Sequence, residues 1–128
     1  DSNGHLRGSE TLKSIAALMK RKFRSSDLLA KYGGDEFVII LPQTEKVGAY
    51  LAAERLRESV EHEPFPGREH QPKGAVTLSL GIAAYPEHGL SANEILDHAD
   101  KALYAAKAAG RNNTVIYSDR LERPEDEE

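Results

Sequence analysis

Tyr32-Gly33-Gly34-Asp35-Glu36-Phe37 stands between two apolar runs, Leu28-Leu29-Ala30 before it and Phe37-Val38-Ile39-Ile40-Leu41 from its last residue onward. Short runs rich in Leu, Ile and Val, joined by the four residues Gly33-Gly34-Asp35-Glu36, predict an antiparallel hairpin with strands over 28–32 and 37–41. Glycine is the usual residue where a tight turn demands a positive φ, and on that ground alone Asp35 and Glu36 are solvated turn charges. A second reading takes them as an acidic pair at a tip between two core strands, which is what a metal-dependent phosphoryl-transfer site needs. The glycines would then let a nucleoside lie against the turn while Asp35 reaches a divalent cation. Both readings stay open on these residues.

Outward from the hairpin, the chain reads as one mixed domain. Its 128 residues are enough to bury a helix-and-sheet core and too few for two ordinary domains. With 39% hydrophobic and 30% charged residues and a formal net charge of −4, it carries neither the basic footprint of a nucleic-acid polymer binder nor the composition of a disordered chain. A small-molecule partner is expected instead. Cysteine is absent, no apolar run reaches the roughly 20 residues of a membrane span, and no secretory leader is recognisable, so a reducing, cytoplasmic setting is expected. The cytoplasmic part of a membrane-anchored sensor would satisfy the same observations.

Before the hairpin, Leu12, Ile15, Ala16, Met19 and Phe23 recur at helical spacing with Lys13, Lys20, Arg21 and Lys22 between them, predicting an amphipathic helix. After it, Ala49, Ala52, Ala53, Leu56 and Val60 predict a second helix, closed by Pro64, Pro66 and Gly67. Strict alternation from Val76 to Ala83 predicts a central strand with Thr77, Ser79, Gly81 and Ala83 on a small-residue face, leaving room for something to approach. Ser91 and Glu94 form a capping-box pattern opening a helix whose apolar face is Ile95, Leu96, Ala99, Ala102, Leu103 and Ala106, with Gly110 closing it. A last short strand is expected over 114–117, and the acidic stretch 119–128 as a flexible tail. The resulting order of helices and strands calls for one more central strand, so the 128 residues are expected to begin inside a domain.

Gly33-Gly34-Asp35-Glu36-Phe37 resembles the signature that names the GGDEF domains, the bacterial diguanylate cyclases. Gly4-His5-Leu6-Arg7-Gly8, Leu12-Lys13-Ser14-Ile15-Ala16, the strand Thr77 to Ala83, and the stretch Ala102-Leu103-Tyr104 through Gly110-Arg111-Asn112 are similar to the family in order and spacing. The resemblance covers most of the chain to Tyr117 and implies a domain over 1–118. It implies an α/β (α+β) fold, nucleotidyl-cyclase and polymerase-palm-like, with a central, mostly antiparallel sheet flanked by helices on a ferredoxin-like core. The implied reaction condenses two GTP into cyclic di-GMP with release of pyrophosphate. Two facing subunits of a homodimer each hold one nucleotide, and each ribose 3′-hydroxyl attacks the other α-phosphate. An attached upstream sensory or receiver domain would supply the stimulus.

Residue roles follow from the same resemblance. Asp35 would help bind a pair of Mg²⁺ or Mn²⁺ ions, Glu36 would lie beside the reacting hydroxyl, and the Gly33-Gly34 backbone would pack near the nucleoside. Lys107 and Arg111, four apart and expected to share a face of the last helix, would be cations for the β- and γ-phosphates; otherwise they are a solvated basic edge. Tyr104 beside them reads as packing. Arg24-Ser25-Ser26-Asp27 is separated from Gly33 by five residues, the offset at which the family's Arg-x-x-Asp binds a product dimer and inhibits the enzyme, and Arg55 resembles a basic residue that supplements that site. The family's opening metal carboxylate, triphosphate loop and base-reading Asn fall before Asp1.

Ser9 departs from the pattern, standing where most members carry a guanine-reading Asp. A single hydroxyl can donate or accept through one atom, which weakens discrimination against adenine and opens a mixed-purine alternative, a cyclase making cyclic GMP-AMP. Its other reading is a cap for a helix starting at Glu10. A third reading is a catalytically inactive effector that binds GTP or cyclic di-GMP. The histidines, His5, His62, His70, His88 and His98, show no zinc-ligand spacing, and the glycine turn lacks the Lys-Ser/Thr ending of a P-loop.

Overall fold

A computed structural model describes the backbone of residues 2–33, 36–63 and 76–122, and the side chains of 12–30, 36–63 and 76–121. The elements run α1 (Ser2–Lys22), β1 (Leu28–Gly33), β2 (Glu36–Ile40), α2 (Lys46–His62), β3 (Leu80–Ile82), α3 (Ala92–Ala108) and β4 (Thr114–Ile116), followed by a 3-10 turn, Asp119–Glu122. The expected tail therefore begins with an ordered turn, in which the Leu121 N–H donates to the Ser118 carbonyl at 3.0 Å. Residues 34–35, 64–75 and 123–128 lie outside the described residues.

The chain divides into two compact units, Asp1–Gln43 with Glu58–Val76, and Thr44–Arg57 with Thr77–Glu128. In the first, α1 buries Ile15, Leu18 and Met19, and the end of α2 buries Val60. Ile15, Leu18 and Met19 follow the three- and four-residue spacing of one helix face. β1 and β2 form an antiparallel ladder whose face carrying Leu28 and Ile40 stays open, at 57% and 52% exposure.

In the second unit, Ala53 and Leu56 of α2, Ala102 and Ala106 of α3, and Tyr117 form the core. Burying Leu56 completely contributes about 1.5–3 kcal/mol. β3 pairs with β4 in parallel, Leu80 with Thr114, Gly81 with Val115 and Ile82 with Ile116. The strand expected over 76–83 is thus cut to three residues, because a ladder extends only as far as its partner and β4 has three.

The small-residue face does admit a neighbour, and at Gly81 the neighbour is α3. A Cβ there would lie 2.3 Å from both the Ala99 carbonyl oxygen and the Leu103 nitrogen, and 2.8 Å from the Leu103 Cα. Glycine is what lets the helix backbone rest on the strand. The start of α3 follows its sequence signal: the Ser91 Oγ accepts from the Glu94 N–H at 3.2 Å, and Glu94 Oε1 accepts from the Leu90 N–H at 2.8 Å. Glu94 reaches back one residue further than the standard box, to the residue before the cap.

Candidate functional site

The hairpin is tighter than the sequence predicts. Leu28 pairs with Ile40, Leu29 with Ile39, Ala30 with Val38 and Lys31 with Phe37, after which the register shifts and Gly33 faces Glu36. Tyr32 is the extra residue of a β-bulge, which raises local twist and re-aims the end of the strand. The ladder thus reaches Gly33 and Glu36, one residue further on each side than the sequence predicts. Glu36 is the first residue of β2 and half-buried. Gly34 and Asp35 lie outside the described residues, and Gly33 is described by its backbone alone.

The structure brings Arg24 and Asp27 together on the loop between α1 and β1. Arg24 Nη2 lies 3.0 Å from Asp27 Oδ1, and the Arg24 backbone N–H donates to Oδ2 at 2.8 Å. Arg24 Nη2 also donates to the Pro42 carbonyl at 3.3 Å. The Asp27 side chain is 4% exposed and that of Arg24 59%. Hydrogen bonding to Arg24 holds the Asp27 carboxyl below the usual carboxylate range, against the opposing effect of desolvation. Arg24 and Asp27 line a cavity of about 430 Å³ with Lys20, Phe23, Leu28 and Ile39 among its other walls.

Lys107 and Arg111 are both in the second unit, but the helical argument that joined them fails. α3 ends at Ala108 with Ala109 as its cap, and Gly110 takes φ 117°. The Gly110 N–H donates to the Lys107 carbonyl at 3.2 Å and the Arg111 N–H to the Ala106 carbonyl at 3.1 Å, the paired bonds of a Schellman motif. Arg111 is therefore beyond the helix, exposed, with its own φ at 65° and that of Asn112 at 50°. Left-handed backbone costs a non-glycine residue about 1–2 kcal/mol, so this loop persists only because neighbours hold it.

Those neighbours include two residues that the sequence reading missed. Arg57 on α2 donates to Asn112 Oδ1 at 3.0 Å. Its other nitrogens fork onto Glu54, Nε to Oε2 at 2.8 Å and Nη2 to Oε1 at 3.0 Å. Glu54 Oε2 also accepts from the Thr114 hydroxyl at 2.7 Å. The Arg57 bond, with help from Thr114, keeps the Glu54 carboxyl below its ordinary range despite partial burial. A Glu and an Arg three apart on a helix are common enough that only the long-range bonds to residues 112 and 114 distinguish this pair.

Other sequence-selected residues fall as follows. Ser9 lies inside α1, which starts at Ser2, so the cap reading is overturned. α1 continues through Gly4 and Gly8 although each costs about 1 kcal/mol in a helix, because propensity is a weak prior. Arg55 is exposed on α2, in the unit that does not contain Arg24 and Asp27. Tyr104 is 75% exposed on α3, so the packing reading is reversed. His98 stacks on Tyr117 with centroids 4.1 Å apart, and its Nδ1 lies 2.6 Å from the His88 carbonyl, which makes it a structural histidine. Among the described residues, no three His, Asp or Glu side chains gather as a metal-ligand set. Of the acidic pair expected at a cation, Glu36 is described and Asp35 lies outside the described residues.

These features define an α/β domain with a glycine-acid hairpin at a bulged strand end. The family described as "Diguanylate cyclase, GGDEF domain" matches residues 1–113, and the chain belongs to it. Diguanylate cyclase A of Treponema denticola is 37% identical over 123 residues, 94% of this chain and 32% of that protein. The GGDEF domain of YfiN (TpbB) from Pseudomonas aeruginosa superposes with a TM-score of 0.80 at 32% identity, over 94% of this chain and 69% of that one. The GGDEF domain of DgcB from Caulobacter crescentus, solved in complex with c-di-GMP, gives 0.78 at 29% identity over 96% and 70%. This agreement bears out the expected palm-like α/β fold class. The chain spans a third or less of the length of the first curated relatives, 32% and 26% for the first two. No helix among the described residues is long and apolar enough to cross a membrane.

Proposed function

We propose that the protein carrying this chain is a diguanylate cyclase, condensing two GTP into cyclic di-GMP with release of pyrophosphate. The family match over residues 1–113, with Gly33-Gly34-Asp35-Glu36-Phe37 falling on a tight hairpin, supports this reading most directly. Residues 1–118 would be the catalytic domain. Asp35 and Glu36 would be the catalytic carboxylates, with the Gly33-Gly34 backbone against the nucleoside. Lys107 and Arg111 would neutralise the β- and γ-phosphates, the lysine as a point charge and the arginine as a fork for two oxygens.

The family's cyclases generally use divalent cations. Two Mg²⁺ or Mn²⁺ ions per site, with Asp35 as a ligand, would screen the phosphates and acidify the attacking hydroxyl. The residues of this chain act mainly by holding nucleotide in place, which is where most of the rate of phosphoryl transfer originates. Because each site supplies one nucleotide, the working form is a homodimer, with an upstream sensory or receiver domain controlling the encounter, in the cytoplasm.

Arg24 and Asp27 would form a feedback site for cyclic di-GMP. The 430 Å³ cavity beside a guanidinium that is 59% exposed supports that assignment. Product would compete for the fork that Asp27 now occupies.

A second reading is favoured by Ser9, whose single hydroxyl in place of a carboxylate relaxes the penalty against adenine. Product analysis of the full-length protein with GTP alone, ATP alone and both separates the readings. Cyclic di-GMP alone from equimolar nucleotides removes the mixed-purine cyclase, and no product under any condition leaves the binding effector. Asp35→Ala should abolish synthesis; unchanged turnover would reject its role.

A further inference from the structure

Arg111 raises a positional problem, because no helical ladder fixes it. It sits beyond α3 in a loop whose φ values run 117°, 65° and 50° through Gly110, Arg111 and Asn112. A guanidinium that must meet phosphate oxygens needs its backbone held to a fraction of an ångström, since a small misplacement costs a large factor in rate.

Two of the bonds that hold this loop come from one ion pair on α2. Asn113 Nδ2 donates to the carbonyls of Ala106 at 2.8 Å and Arg111 at 2.9 Å, which ties the loop to its own helix end. The Asn112 N–H donates to Ser79 Oγ at 3.2 Å. From α2, Arg57 holds the Asn112 side chain and Glu54 holds the Thr114 hydroxyl, so the pair grips the chain on both sides of Asn113. The Arg57 and Glu54 side chains are only 15% and 23% exposed, and Arg57 engages Glu54 through two nitrogens. A forked, part-desolvated pair is rigid in a way that an exposed one is not.

We propose that Glu54 and Arg57 are positioning residues for Arg111, setting the left-handed loop that presents it by holding Asn112 and Thr114. This rests on the reading of Arg111 as a phosphate-binding cation. Neither residue needs to touch nucleotide: Arg57 acts through Asn112, one residue along the chain from Arg111.

The test is a double-mutant cycle on the full-length protein, reading equilibrium GTP affinity with KM and kcat alongside. Arg57→Ala should weaken GTP binding about ten-fold, and Arg111→Ala by at least as much. In the Arg111→Ala background, Arg57→Ala should cost nothing further. Arg57→Lys, which keeps the charge but cannot fork onto Glu54 while reaching Asn112, should fall between. If Arg57→Ala does not fold, Asn112→Ala carries the same test, because it removes the grip and leaves the Glu54–Arg57 pair intact. Losses that multiply independently, or wild-type affinity in the position-57 or position-112 variant beside a weakened Arg111→Ala, overturn the positioning role alone. Wild-type affinity in Arg111→Ala overturns the phosphate reading and this proposal with it.

Discussion

Replacing Gly81 with alanine should unseat α3 from β3. The added Cβ would stand 2.3 Å from the Ala99 oxygen and the Leu103 nitrogen. Ordinary contacts of this kind are about 3.4 Å, so the helix must retreat by roughly 1 Å or the strand must bend, and both partners are backbone. Overpacking of a well-filled interior costs about 1–3 kcal/mol, and a clash with backbone belongs at the upper end. Against this stands a gain of about 0.4–1 kcal/mol from the less flexible unfolded chain. The φ of Gly81 lies outside the left-handed region, so no conformational penalty adds to the steric one. The net loss is about 2 kcal/mol, which at this chain length corresponds to a fall of roughly 8 °C in Tm. Thermal unfolding followed by circular dichroism on purified wild-type and Gly81→Ala protein reads it directly. A Tm within 2 °C of wild type, about a quarter of the expected shift, would refute the claim that the strand and helix backbones are in contact there.

Two further outcomes follow from the second unit. Glu54 has a folded pKa below its ordinary 4.5, so its contribution is complete above that value and disappears as pH falls through the depressed one. Wild type should therefore lose stability below pH 4.5 more steeply than Glu54→Gln, and parallel acid limbs in urea titrations would remove the ion pair's part in stability. Gly110→Ala adds a Cβ with no atom within 4 Å but forces alanine to φ 117°, so its cost is purely conformational, about 1–3 kcal/mol. Gly110→Asn, which tolerates positive φ better, should recover part of that loss.

What the sequence made legible was local. Apolar spacing predicts α1, α2 and α3, since a buried stripe must recur every three or four residues whatever it packs against. Ser91, Glu94 and Gly110 mark the ends of α3 because caps are formed by residues adjacent in the chain. The hairpin was legible for the same reason. Its one-residue bulge at Tyr32 was not, because two apolar runs around glycines fit either register until the ladder is seen. Strand length over 76–83 was misjudged because alternation reports which faces are apolar and says nothing about how long the pairing strand is. The cap reading of Ser9 fails because serine's preference for caps does not report where a helix begins, and α1 already runs from Ser2.

The candidate site divides along the same line. Arg24 and Asp27 were found together because they are three apart, and three residues of a tight loop can close a guanidinium on a carboxylate. Lys107 and Arg111 were linked by counting four along a helix, yet the glycine that the same sequence offers as a stop lies between them. Once Arg111 is off the helix, its loop becomes a tertiary property, held at Asn112 and Thr114 by Arg57 and Glu54 more than fifty residues earlier. No periodicity encodes that distance. The sequence names residues whose chemistry is intrinsic, such as a cation or an acidic pair; those that act only by holding another residue in place look like any surface ion pair until their long-range bonds are seen. An arginine in a left-handed loop is the clue that such a holder exists, because strained backbone at an exposed non-glycine residue needs support from elsewhere in the fold.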